Sequence, residues 1–232
     1  MEGTTKMRRK HLATIEIYAV GLAALLAFSF VTEANAFTKP DLLTRQIKAT
    51  SIQGESIAQV LDLLASEYDI PLGIELGDEK RTPHREINLE LEETNLKDFL
   101  DSVIAKDPRY TWKLEGGVIH VWPVSGRDPL LATLLDEKIS HFSIIGAASR
   151  YQIYNDIMDL PEIRSKLVIA GVEPMIFLAS GSMTKLAKET FVNESNLTLR
   201  ELLDRIVLKT GIRQWVLSRW GKNSEYISLK GG

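Results

Sequence analysis

Residues 94–114 read TNLKDFLDSVIAKDPRYTWKL, and residues 197–217 read LTLRELLDRIVLKTGIRQWVL. The two stretches align without a gap. They are identical at six of 21 positions, namely Leu96/Leu199, Leu100/Leu203, Asp101/Asp204, Lys106/Lys209, Trp112/Trp215 and Leu114/Leu217. A repeat at this spacing indicates that one structural unit occurs twice in the chain. We therefore interpret the sequence as two copies of one domain.

The first copy predicts the order β-α-β-β-α-β-β. Its helices are indicated by apolar residues at helical spacing, and its strands by alternation of apolar and polar residues. The predicted elements are a strand at 47–53, a helix that Ser56 caps, strands at 71–76 and 86–91, a helix from Asn95 to Lys106, and a hairpin over 110–121 that turns at Gly116-Gly117.

The second copy repeats this order with an expanded first half. Ser56-x-x-Gln59, Ser149-x-x-Gln152 and Thr198-x-x-Glu201 each match a capping box at a helix start. The predicted elements are a strand at 139–145, a helix at 149–159, an extra helix at 161–170, strands at 173–179 and 189–192, a helix from Thr198 to Gly211, and a hairpin of strands 214–220 and 226–229.

These patterns predict an α+β protein with two tandem domains, each with small sheets packed on a pair of helices. The predicted boundaries are 37–124 for the first domain and 138–232 for the second. Residues 125–137 are predicted to begin as a linker and to finish as a short helix, which leads us to expect that the domains touch.

The N-terminus is typical of a secretory signal peptide over residues 1–36. Basic residues precede an uncharged run from Ile17 to Val31, and Ala34 and Ala36 match the recognition pattern of signal peptidase. Cleavage before Phe37 would leave a periplasmic protein without a membrane span. An uncleaved inner-membrane anchor is the less favoured alternative, because fifteen helical residues reach only about 22 Å of a roughly 30 Å hydrocarbon core. Met7 is an alternative start.

Composition narrows the classes of function. The formal net charge is −3 with 25% charged residues, whereas domains that bind nucleic acid are usually strongly basic. We therefore predict no nucleic-acid partner. The chain has no cysteine, which excludes disulfides and thiolate metal ligands.

The helix NLKDFLDSVIAKD and the hairpin WKLEGGVIHVWP, within this order of elements, resemble the N-terminal short domain of secretins and TonB-dependent receptors. The resemblance covers 47–123 in the first copy and, more loosely, 189–229 in the second. It implies two small sheets around two helices, and a periplasmic domain that docks other proteins rather than an enzyme. Because no secretin pore or receptor barrel follows within this chain, we expect docking alone.

The sequence carries no motif for a catalytic serine, a zinc protease, a phosphate-binding loop or an EF-hand. His84, His120 and His141 are not spaced as metal ligands, and Asp101 and Asp204 are expected on solvated helix faces. Trp112 and Trp215 are expected in the two cores. We predict no catalytic, cofactor-binding or metal-binding residue.

The leading hypothesis is therefore docking of an envelope protein at an exposed sheet edge. The candidate residues for that edge are Ile87, Leu89, Leu91, Trp122 and Trp220. One alternative is a periplasmic enzyme or small-ligand-binding protein with a site between the two domains, favoured by the expanded segment 159–170. Another is a structural envelope protein that self-associates through the same edges.

Overall fold

The computed structural model describes residues 41–77, 85–146, 148–175, 190–221, 223 and 225–231. The leader with Ala34 and Ala36 lies outside the described residues, as do His84 and most of the strand predicted at 173–179. From Leu42 onward the described residues belong to one compact unit.

Six α-helices and several small sheets make up the described residues, so the α+β class is confirmed. The helices are α1 (Ile57–Tyr68), α2 (Leu96–Lys106), α3 (Pro129–Leu135), α4 (Arg150–Met158), α5 (Pro161–Ala170) and α6 (Leu199–Thr210). A 3₁₀ turn (Leu42–Thr44) precedes the first strand. Helix α3 lies in the segment predicted as linker and short helix, and it packs in the same hydrophobic core as helix α6.

Twelve strands are present among the described residues. They are β1 (Gln46–Ile47), β2 (Thr50–Glu55), β3 (Leu72–Glu75), β4 (Ile87–Leu91), β5 (Thr94–Asn95), β6 (Tyr110–Glu115), β7 (Val118–Pro123), β8 (Lys138–Gly146), β9 (Glu173–Met175), β10 (Thr190–Thr198), β11 (Gln214–Trp220) and β12 (Tyr226–Gly231). We call the part from β1 to β7 the first half and the part from α3 to β12 the second half.

Helix caps follow the predicted pattern at most helix starts. Ser56 and Thr198 each form a full capping box, in which side chain and backbone satisfy each other's donors. Asn95 accepts from the backbone N–H of Asp98. Ser149 accepts from the backbone N–H of Gln152, and this described helix start has no full capping box.

Several strand limits differ from the predictions. The strand predicted at 47–53 is two strands, β1 and β2, and Gly54 has a positive φ of 71° within β2. The strand predicted at 189–192 continues to Thr198, because β10 pairs with β8 along nearly its whole length. The closing hairpins match, although the second has a longer turn. Its second strand continues beyond the predicted end at Leu229 to Gly231, which lies opposite Trp215 as Val121 lies opposite Trp112.

The main sheet has six strands in the order β6-β7-β3-β11-β12-β9. Each half contributes three of them: a hairpin (β6/β7 or β11/β12) and a strand parallel to the second arm of that hairpin (β3 or β9). The halves meet where β3 pairs in parallel with β11. The sequence analysis expected contact between the domains but not their union in one sheet.

The helices of the two halves cover opposite faces of this sheet. Alternate residues of a strand point to opposite faces. On β11, Val216 belongs to the core of the first half, whereas its neighbours Trp215 and Leu217 belong to the core of the second half. Each half also has an antiparallel pair of strands on the other side of its helices, β2 with β4 and β8 with β10.

Gly73 on β3 allows the halves to approach. A Cβ at this position would lie 2.6 Å from Cε2 of Trp215 and 2.9 Å from Nδ1 of His120. The register places Gly73 directly beside Trp215, whose ring is fully buried. A side chain at position 73 would therefore push the indole away from the sheet.

We expect Gly73→Ala to lower the free energy of unfolding by about 1–3 kcal/mol, the usual cost of overpacking a core. In a Trp215→Leu background the same change should cost distinctly less, because the indole that it meets is gone. Urea unfolding followed by circular dichroism measures both steps of this cycle. An equal cost of Gly73→Ala in the two backgrounds would contradict the contact.

Candidate partner-binding sheet edge

The junction of the halves shows how one sheet edge of this fold is filled. Leu72 N–H donates to the Arg213 carbonyl, and Leu76 N–H donates to the Leu217 carbonyl, both at 3.0 Å. The outer backbone groups of β11 at positions 213, 215 and 217 therefore face β3. Without β3 they would form an open edge.

Strand β6 is the counterpart of β11, since the repeat aligns Trp112 with Trp215 and Leu114 with Leu217. Val124 N–H donates to the Arg109 carbonyl at 2.7 Å, which sets the alternation of the β6/β7 ladder. Residues 111, 113 and 115 then bond to β7, while Trp112 and Leu114 direct their N–H and C=O groups outward. Within the described ranges, no strand pairs with these groups. We call them the β6 edge.

The two tryptophans are held in the same way. Trp112 Nε1 donates to Asp101 at 3.0 Å, and Trp215 Nε1 donates to Asp204 at 2.8 Å. Their environments differ: Trp215 is fully buried beneath β3, whereas Trp112 is only partly buried. The β6 edge thus presents an aromatic ring that lacks the cover its counterpart has.

A hydrogen bond from Lys97, at 2.7 Å, is the main reason that the pKa of Asp101 lies below its usual value. The bond from the Trp112 indole acts in the same direction. The hydrogen bond to Asp101 in turn raises the pKa of Lys97. The side chains of Lys97 and Asp101 are 56% and 49% exposed, so this ion pair is worth little to stability and is easily rearranged.

Several polar side chains at the junction are paired with one another, although Nδ1 of His120 and Oε1 of Gln214 are buried without a hydrogen-bond partner. Glu75 is 1% exposed and receives two 2.7 Å bonds from Arg127, and Arg200 lies 3.9 Å from it. The bond to Glu75 is the main cause of the raised pKa of Arg127. Asp204 bridges Trp215 and His120, whose Nε2 lies 3.2 Å from its carboxylate. Asp128 pairs with Arg219, and Asp62 accepts from Gln214.

The His120–Asp204 pair at the junction is closed to solvent on the histidine side, because His120 is only 4% exposed. His141 lies on β8, 3.0 Å from the Ser195 hydroxyl on an exposed face. Among the described residues no group of three His, Asp or Glu side chains could hold a metal ion. None of the described helices has the length and apolar character to cross a membrane.

The predicted edge residues fall into two groups. Ile87, Leu89 and Leu91 lie on β4 with their side chains turned toward the core, and β4 pairs on one side with β2. Trp122 and Trp220 lie on β7 and β11, which each have a neighbour on both sides in the main sheet. Their backbones therefore do not form its edge, although both side chains are partly exposed.

Strand β6 was predicted as part of a hairpin, but it was not predicted as a candidate edge for partner binding. The sequence analysis assigned Trp112 to the core because Trp112 aligns with Trp215, and equal positions in a repeat suggest equal burial. The signal that separates them is not in the repeat itself: it is which strand lies beside each tryptophan, and that depends on the order of strands in the sheet.

Other exposed features are less defined. Ile145 and Phe191 face each other across β8 and β10 and are 77% and 66% exposed. A groove of about 560 Å³ lies within the second half, and the extra helix α5 contributes to its wall. Its Arg164 is paired at 2.9 Å with Asp159. For neither feature does the structure contain an example of what binds there.

Comparisons with protein-family models, with curated proteins and with solved structures found no match. The resemblance to the short domain of secretins and TonB-dependent receptors therefore stays a prediction.

Proline at matched positions of β6 and β11 tests whether the β6 edge is open. Proline has no N–H, so Leu217→Pro removes a donor that faces β3, whereas Leu114→Pro removes one that faces outward. After subtraction of the cost of Leu217→Ala and Leu114→Ala, we expect the proline at 217 to cost about 2 kcal/mol more than the proline at 114. Equal costs in urea unfolding would mean that the β6 edge is paired.

Arg127→Ala tests the junction charges. It leaves the buried Glu75 carboxylate with only the distant Arg200, and breaking a buried pair from one side costs about 3 kcal/mol or more. The double variant Glu75→Leu/Arg127→Leu should recover much of this loss, because no unpaired charge remains. Denaturant unfolding measures both, and a double variant no more stable than Arg127→Ala would refute the pairing.

Proposed function

We propose that this chain is an exported periplasmic docking module that binds an envelope protein at the β6 edge. The observation that carries the proposal is the outward backbone of Trp112 and Leu114 beside a partly covered indole. A row of unpaired N–H and C=O groups is a template for another strand, and an adjacent apolar surface adds specificity. The signal peptide predicted over residues 1–36 supports the periplasmic location.

The polar groups of the junction also support docking over catalysis. Their carboxylates already accept from arginine, histidine or indole donors, and a general acid or base needs a group within reach of substrate. A largely buried network of this kind fits a structural role in holding the halves together. The alternative of an enzyme site between the halves has no comparable support.

Site-directed photo-crosslinking in the host tests the proposal. A photoreactive amino acid at Lys113 on β6 should crosslink one envelope protein, and the same group at Ile169 on α5, which is 84% exposed, should not. Leu114→Pro should abolish this crosslink, because it removes an outward donor. Leu114→Ala, which loses similar packing but keeps the N–H, should retain it. The mass of the recovered protein should correspond to a chain that begins at Phe37.

Two outcomes would count against the proposal. One is a crosslink that persists in Leu114→Pro, which would place the contact away from the backbone of β6. The other is a chain recovered from the cytoplasm with its leader intact and no crosslink from Lys113. Circular dichroism of each variant verifies that a lost crosslink does not reflect unfolding.

A further inference from the structure

The chain contains both an occupied and an open version of the same edge. In the second half, β11 receives β3 as a parallel strand. In the first half, β6 has the matching residues, and no strand pairs with it within the described ranges. The occupied version therefore indicates what the open one can accept.

Three features define the strand on β11. It runs parallel to β11, and its Leu72 N–H donates to the carbonyl of Arg213, the residue just before β11. It has a glycine, Gly73, beside the tryptophan, where a Cβ would collide with the ring. Two residues later, on the same face, it has Glu75, which accepts two 2.7 Å bonds from Arg127 and lies 3.9 Å from Arg200 at the start of α6.

The features of the second half that contact β3 have counterparts in the first half. Trp112 corresponds to Trp215, and its indole donates to Asp101 as the indole of Trp215 donates to Asp204. Lys97 on α2 aligns with Arg200 on α6. Lys97 now bonds to Asp101, but both side chains are about half exposed, so a change of partner has a small cost.

We infer that the β6 edge binds a parallel strand of a partner protein in which a glycine faces Trp112 and an acidic residue two positions later faces Lys97. This inference rests on the proposed docking function and specifies the partner. The strand would complete the backbone hydrogen bonds of Trp112 and Leu114, and its glycine would let the indole lie flat against it. The acidic side chain would supply the charge that Glu75 supplies to Arg200.

A second copy of the chain does not match this description. The strand that corresponds to β3 in the second half is β9, and it contains Pro174. Glu173 N–H donates to the Glu225 carbonyl at 2.9 Å, so the alternation directs the nitrogen of Pro174 away from β12. A proline there offers no outward donor, and the described residues Glu173–Met175 include no glycine.

An acetylated peptide with the sequence DIPLGIEL, which is residues 69–76 of this chain, is the probe. Added to the mature chain, it should shift the amide NMR signals of Trp112 and Leu114. A peptide with valine in place of the glycine should bind roughly tenfold more weakly or worse, as expected for a side chain forced against a ring. A peptide with Glu75→Gln should lose most of the salt dependence of binding.

Protein variants separate the β6 edge from other sites. Leu114→Pro should abolish binding, and Leu114→Ala should retain it. Trp112→Leu should bind the glycine and valine peptides about equally, because the ring that rejects valine is gone. A spin label on the C-terminus of the peptide should broaden the amide of Glu115 more than that of Tyr110, as a parallel orientation requires.

Three results would overturn the inference. Binding that survives Leu114→Pro would mean that the peptide displaces β3 from β11. Light scattering that shows self-association abolished by Leu114→Pro would favour a second copy as the occupant. No peptide binding, with the Lys113 crosslink intact, would reject the glycine-containing strand and leave the docking function standing, whereas loss of both would reject both.

Discussion

The parallel pairing of β3 with β11 is the contact on which the other features of this structure depend. Alone, each half would have a three-stranded sheet with two open edges, and open edges are templates for pairing with other chains. Pairing removes one open edge from each half. Because the helices lie on opposite faces, it also covers residues that would otherwise meet solvent, with His120 beneath the second half and Val216 beneath the first.

Backbone pairing alone would not determine which residues of β3 and β11 face each other, and the side chains at the junction supply that choice. A shift by two residues would bring a bulky side chain beneath Trp215 in place of Gly73. It would also separate Glu75 from Arg127, leaving a charge that is only 1% exposed without its partner. Buried ion pairs add little net stability, but broken ones cost several kcal/mol, about 3–5 when one side is removed. They therefore select one register.

Local features of the fold could be predicted from the sequence because they depend on neighbours in the chain. Helix α5 has the predicted limits, Pro161 and Ala170, since proline favours a first helical turn and Gly171 ends the helix at a φ of 63°. Both closing hairpins follow from their turn residues. The length of β10 was missed because it depends on pairing with β8, whose paired residues lie 44–60 positions earlier in the chain.

The candidate site depends on a still less local property. Ile87, Leu89 and Leu91 were favoured because alternation identifies a strand, but alternation does not indicate which side of a strand is open. Trp122 and Trp220 were also candidates, yet their strands are interior to the main sheet. Trp112 was set aside because it obeys the repeat. In the described sheet, β3 pairs with β7 and β11. It therefore leaves the outer side of β6, the strand that carries Trp112, without a neighbouring strand.

The two halves join through different edges: the edge strand β3 of the first half pairs with the edge strand β11 of the second half. Such a contact leaves one further edge on each half unpaired, whereas a twofold contact would pair the same edge of both halves. Here the used edges are those of β3 and β11, and within the described residues the unused ones are those of β9 and β6. Pro174 makes β9 a poor template for further pairing, as proline does on many natural edge strands. The β6 edge has no such block, and the outward N–H groups of Trp112 and Leu114 remain available. Trp112 is also held in place by Asp101 without a strand to cover it, so the two ends of the sheet are suited to different roles: β9 terminates it, and β6 can extend it.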